Sequence, residues 1–200
     1  AYEKGDYIRA WNENDYACMI NSDSKYLAYK AMLLYKGEGV SEDQFEAKNI
    51  ILAQKEKLEK NDDKFSLFLI GFMLENGLGY EKDTKKAIEY FEKSANKGLA
   101  LAYNNISLIF FKENDLDKSL EYFDKAVKLN ENLLKTNSNI IAQMYFLPKE
   151  LIKNSMYKHE NEYILDMSSD YWWDLSFEKQ IEYTAAYQVG YAKTKKLEVE

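Results

Sequence analysis

The chain repeats itself, and this limits its fold more than any other feature. The segment from Ala31, AMLLYKGEGVSED, lies over the segment from Gly71, GFMLENGLGYEKD, at an offset of 40. Gly37 and Gly39 fall on Gly77 and Gly79, Asp43 falls on Asp83 and, further along, Ala47 falls on Ala87. Each copy reads as an apolar helix, a G-x-G turn, an acidic residue and a second helix with a small residue near its start. A helix that stops and reverses within a few residues needs positions that tolerate positive φ, and glycine meets that need without a Cβ clash. Asp43 and Asp83 stand where a carboxylate caps the free amides of the second helix.

A third copy lacks the glycines. Ile106 to Phe110 aligns with Ile70 to Leu74 at an offset of 36, and Ser119 with Ala87 at 32, so four residues have gone from the turn. Apolar spacing and turn residues predict helices near 6–21, 25–36, 43–60, 63–76, 84–97, 99–113, 116–129, 132–146, 149–166 and 177–197. Leu116, Leu120, Phe123 and Val127 show the period. Pro148 can open a helix, and Ser176 is an expected N-cap. No stretch alternates long enough to predict a strand. The expectation is an all-α chain, an α-solenoid of stacked antiparallel helix pairs in which each unit buries its apolar face on the next.

Composition narrows the function. The formal charge of −7 repels phosphate backbones, which speaks against nucleic-acid binding. One Cys, one His and eight Gly leave little for metal sites, disulfides or phosphate loops, so neither a metal nor a cofactor is expected. The longest apolar run, Phe65 to Leu74, is about half a membrane span. The G-x-G pairs follow helices, not strands, and read as turns. No catalytic motif is assembled: His159 and Cys18 are far apart in sequence, and Asp62 and Asp63 read as caps. Asp166, Asp170 and Asp174 recur every four residues, whereas a calcium loop of the EF-hand kind wants alternate ligands, a central Gly and a terminal Glu. The acidic stretch from Glu160 to Glu182 reads as a solvated face or as a surface for a basic partner.

Ile70, Gly71, Met73, Gly77, Gly79, Asp83, Ala87, Tyr90, Phe91, Ser94, Ala95 and Gly98 closely match the Sel1-like repeat pattern, which this chain therefore resembles. The 34 residues from Ala100 to Leu133 have the tetratricopeptide period, with Ala102, Ile106, Ser107, Phe110, Ser119, Phe123 and Ala126 at its packing positions. The first copy departs from the pattern at Ile50, Ile51, Lys55 and Leu58. The resemblance covers residues 1–133 and implies a Sel1-like and tetratricopeptide-like repeat array. Residues 134–200 are then expected to form a helical, aromatic-rich C-terminal cap.

The resemblance also implies a role. It points to a non-enzymatic interaction scaffold or adaptor whose first helices line a concave groove for a protein or peptide. Carried over by position, that groove is lined by Ala28, Met32 and Tyr35, by Phe68, Phe72 and Glu75, and by Asn104, Leu108 and Phe111. Of these, Met32, Tyr35, Phe68, Phe72, Leu108 and Phe111 are the expected partner contacts, because contiguous apolar surface marks interaction sites. Tyr171, Trp172 and Trp173 join them as aromatic hot-spot candidates. The rival occupant of the groove is the chain's own helix with Tyr183, Tyr187 and Tyr191. Family members that are bacterial immunity proteins suggest a narrower form, neutralisation of a toxic effector, and favour a periplasmic or secreted setting. A β-lactam- or cell-wall-related enzyme and a structural homo-oligomer are the other readings.

Overall fold

The structure, a computed structural model, describes residues 6–21, 23–113, 115–131, 133, 147, 151, 154, 156–159, 162–165, 167–176, 178–181 and 183. The chain divides into two compact units, Ala1–Ile109 and Phe110–Glu200. The first holds α1 (Tyr7–Ile20), α2 (Ser24–Lys36), α3 (Gln44–Glu59), α4 (Lys64–Asn76), α5 (Thr84–Asn96) and most of α6 (Ala100–Lys112). The second holds the end of α6, then α7 (Leu116–Leu129), a hairpin of β1 (Met156–His159) and β2 (Glu162–Leu165), and the one-turn helix α8 (Asp170–Trp173). Among the described residues the fold is all-α apart from that hairpin. α1 to α7 begin and end within a residue of where the apolar period and the turns put them.

The two glycine turns match bond for bond. Gly37 and Gly77 end α2 and α4 in the left-handed region, at φ 67° and 71°. In each, the next amide reaches back to the last turn: Glu38 N to Leu33 O at 3.1 Å, and Leu78 N to Met73 O at 2.9 Å. Asp43 and Asp83 then donate their amides to Leu34 O and Leu74 O. Their carboxylates accept the amides of Glu46 and Lys86, capping α3 and α5 as expected. Asp115 does the same for α7 through the Lys118 amide at 3.1 Å.

The core of the first unit centres on α4. Every residue from Ser66 to Leu74 is buried, so this helix is covered around its whole circumference. Phe91 of α5 lies against Gly71, where a Cβ would come within 2.8 Å of the ring. Ser94 Oγ donates to Lys64 O at 2.7 Å and fixes α5 to the first turn of α4. α3 runs to Glu59, while α5 stops at Asn96. That longer end supplies Leu58 to the core, and Lys55 Nζ, from the turn before it, donates to Gly79 O at 3.0 Å.

One expectation is overturned in the second unit. The helix expected over 149–166 does not run its length: Leu151 and Asn154 are helical, but Met156 pairs with Leu165 and His159 with Glu162 in an antiparallel ladder. Two four-residue strands are too short to reveal a period of two, and Tyr163-Ile164-Leu165 suits a strand as well as a helix. Ser176 caps as expected, its Oγ accepting the Lys179 amide at 3.4 Å. All of the helix expected over 132–146 except Leu133, and most of that over 177–197, including Tyr187 and Tyr191, lie outside the described residues.

Candidate functional site

The first unit carries a mostly apolar cleft of about 560 Å³ at the N-terminal ends of its first-in-pair helices. α1 contributes Ala10, Glu13, Asn14 and Ala17, spaced as one helical face. α2 adds Lys25, Tyr26 and Tyr29; α4 adds Lys64, Phe65, Phe68 and Leu69; Gly98, Leu99 and Leu101 close the far end. The helices start here because Asp23 and Asp63 cap them. Asp23 Oδ1 accepts the Lys25 amide at 3.0 Å, and Asp63 accepts the amides of Phe65 and Ser66. Burial pushes the Asp63 carboxyl up, but the Ser66 hydroxyl at 2.6 Å and the two amides outweigh it and hold the group below the usual carboxylate range.

The wall between α1 and α2 is made by polar groups that are all engaged. Asn14, nearly buried, donates Nδ2 to Tyr26 O at 3.1 Å and lies 3.7 Å from Cys18 Sγ. Lys30 Nζ meets Asp15 Oδ1 at 2.6 Å and sits 5.2 Å from the Trp11 ring centre. Burial pushes the Cys18 thiol up, with Lys30 opposing and Asp15 assisting, so its thiolate is disfavoured at neutral pH. On the rim, Lys64 Nζ sits 5.3 Å over the half-exposed Phe65 ring, and Glu13 is paired with Arg9 at 2.7 Å. Among the described residues no group of three or more His, Cys, Asp and Glu is placed to hold a metal, and no helix is long and apolar enough to cross a membrane.

The expected groove residues do not lie open. Met32, Phe68, Phe72 and Phe111 are all buried, as is Ala28, while Tyr35 and Leu108 are half-buried. Phe68 turns toward α5, its ring 5.5 Å from that of Phe91, and Phe72 meets Tyr35 edge-on at 5.7 Å. Large rings at the inward positions thus pack on one another and fill the middle of the surface. The open portion is displaced toward the helix N-termini, and of the expected contacts it retains only Phe68. Tyr26, Tyr29, Phe65 and Leu101 were missed; the caps at Asp23 and Asp63 mark that end of the helices and are the signal that leads to them. In the second unit Tyr171 is half-buried, Trp172 is buried and Trp173 is 70% exposed.

The Sel1 repeat model matches residues 26–49 and 65–99, and the tetratricopeptide repeat model matches residues 100–133. The chain carries Sel1 repeats followed by a tetratricopeptide repeat. A putative sel1-like repeat-containing protein of Acanthamoeba polyphaga mimivirus is 36% identical over 63 residues, which are 32% of this chain and 12% of that protein. The chain therefore spans a small part of that relative. Two solved structures are also similar. One, a protective antigen of uropathogenic Escherichia coli strains displaying an SLR fold, has a TM-score of 0.39 at 18% identity, covering 70% of this chain and 33% of that one. The other, a Sel1 repeat protein of Oxalobacter formigenes, has a TM-score of 0.43 at 17% identity, covering 92% of this chain and 80% of that one.

Proposed function

We propose that the chain is a non-enzymatic interaction module whose first unit holds an apolar segment of a partner protein in the cleft at Tyr26, Tyr29, Phe65 and Leu101. Sel1 and tetratricopeptide arrays generally serve as protein-interaction scaffolds and are generally non-catalytic. The observation that carries the reading is the cleft itself: a concave, mostly apolar surface of about 560 Å³ with aromatic rings on its walls and lysines at its rim. Such a site suits an apolar side chain on an extended or helical segment better than a flat surface does.

The test uses Phe65→Glu and Leu101→Glu, because Phe65 is half-exposed and Leu101 half-buried, so neither change opens the core. Affinity capture with the unaltered chain and each variant, read by mass spectrometry, should show the same partner lost from both variants while far-UV circular dichroism is unchanged. Retention of every partner by both variants refutes the cleft reading. Neutralisation of a toxic effector is a narrower form of the same role. Co-expression of the chain with the captured partner tests it, and protection that survives both substitutions counts against it.

A further inference from the structure

Trp172 and Trp173 are adjacent in sequence and opposite in environment: 5% of the first is exposed and 70% of the second. The turn that holds them is fastened at both ends. Ser169 Oγ accepts the Trp172 amide at 3.3 Å, and Gln180 Nε2 donates to Trp172 O at 2.8 Å. The buried indole is the anchor and the exposed one is held out from it. In a helical turn, residues three and four apart share a face. Asp170, Trp173 and Asp174 have that spacing, Asp174 continuing the helical conformation at φ −76° and ψ −11°. Asp170, Asp174 and Glu178 are exposed, and none of the three carboxylates is ion-paired among the described residues.

An exposed indole that shares its helical face with two carboxylates disfavours an apolar partner, because docking one would strip water from the charges without replacing it. A cation is favoured by both parts of the surface at once. A guanidinium stacks on the indole face while its N–H groups donate to a carboxylate in paired geometry, which an ammonium cannot reproduce.

We propose that the Asp170, Trp173 and Asp174 face is a docking surface for an arginine-bearing segment of a partner protein. It uses no residue of the cleft in the first unit, so the two readings stand or fall separately.

The experiment titrates the full chain with a soluble Arg-Ser-Gly repeat peptide, and with its citrulline counterpart, by calorimetry. Saturable binding of the arginine peptide alone is expected. Trp173→Ala should weaken it about fivefold, the scale of a cation over an exposed ring. Asp170→Asn with Asp174→Asn should weaken it at least as much, and Phe65→Glu should leave it unchanged. Glu56→Gln with Glu89→Gln removes the same charge from exposed positions elsewhere and should have little effect. Trp173→Phe should retain more affinity than Trp173→Leu. The proposal is overturned by absence of saturable binding, by equal binding of the citrulline peptide, by an unaffected Trp173→Ala, by parity of Phe and Leu at 173, or by equal loss in the Glu56 and Glu89 control.

Discussion

In the first Sel1 repeat, α2 carries Ala31 and α3 carries Ile51; in the second, the same positions hold Gly71 on α4 and Phe91 on α5. All four lie in the core: Ala31, Ile51 and Phe91 have at most 1% exposed, and Gly71 is buried too. The pairs exchange volume, the larger side chain on the second helix standing with the smaller residue on the first. The aromatic that the repeat pattern expects at 51 is therefore not missing a function. Isoleucine there is matched by one added methyl at 31. Across the two pairs of positions the summed side-chain volume stays nearly constant while the residue types differ.

The largest expected effect is at this contact. Phe91→Ala should cost about 3–5 kcal/mol and Ile51→Ala about 2–5 kcal/mol, measured by urea unfolding; equal losses would mean the two contacts are equally deep despite the difference in size. Gly71→Ala should cost about 1–3 kcal/mol, because the new methyl meets the Phe91 ring at 2.8 Å. Pairing it with Phe91→Ile rebuilds the first repeat's combination, and the double variant should lose less than the sum of the singles. Additive losses would break the volume-exchange account.

The repeats differ next in how they are joined. The extra length of α3 places Glu59 so that Tyr80 donates its hydroxyl to Oε1 at 2.7 Å, with Lys55 Nζ 4.0 Å from the Tyr80 ring centre. Burial first, and then the bond to Glu59, push the phenol well above its usual range. Tyr80→Phe should cost about 1 kcal/mol, and Glu59→Gln less, since an amide oxygen still accepts.

Effects of the same small size are expected at the caps. Asp63→Ala should cost about 1 kcal/mol in thermal or urea unfolding. It should cost more than Asp23→Ala, because Asp63 accepts two amides and a hydroxyl, whereas Asp23 accepts one amide and keeps Lys25 Nζ at 3.6 Å. The Asp63 carboxyl titrates lower in the folded chain than in the unfolded one. Its contribution is therefore complete above the unfolded value, about pH 4, and fades as pH falls through the folded value. An acid titration of stability should lose this component in Asp63→Ala, and an unchanged pH profile would refute the assignment.

The repeats were legible because their signals are local. Gly37, Gly77, Asp43 and Asp83 fix turns and caps by conformation and hydrogen bonding within a few residues, so the helix ends follow directly. The hairpin was not legible, since Met156–His159 and Glu162–Leu165 are too short to carry a period and depend on pairing to each other. The cleft was only half legible. Position in the repeat says which way Phe68 and Phe72 face, but whether neighbouring rings close over them depends on the identity of Tyr35 and Phe91, a nonlocal property. Trp172 and Trp173 stand next to each other, and composition cannot tell the anchor from the exposed ring.

The unbroken burial of Ser66 to Leu74 in α4 also sets a clock. Its amides are hydrogen-bonded along the helix and carry no solvent-facing side from Ser66 to Leu74. Exchange with deuterium there must wait for opening of the whole first unit, whereas α1, with Ile8, Tyr16, Met19 and Ile20 exposed, can fray and exchange by small local fluctuations. Protection in α4 thus reports the global stability of that unit.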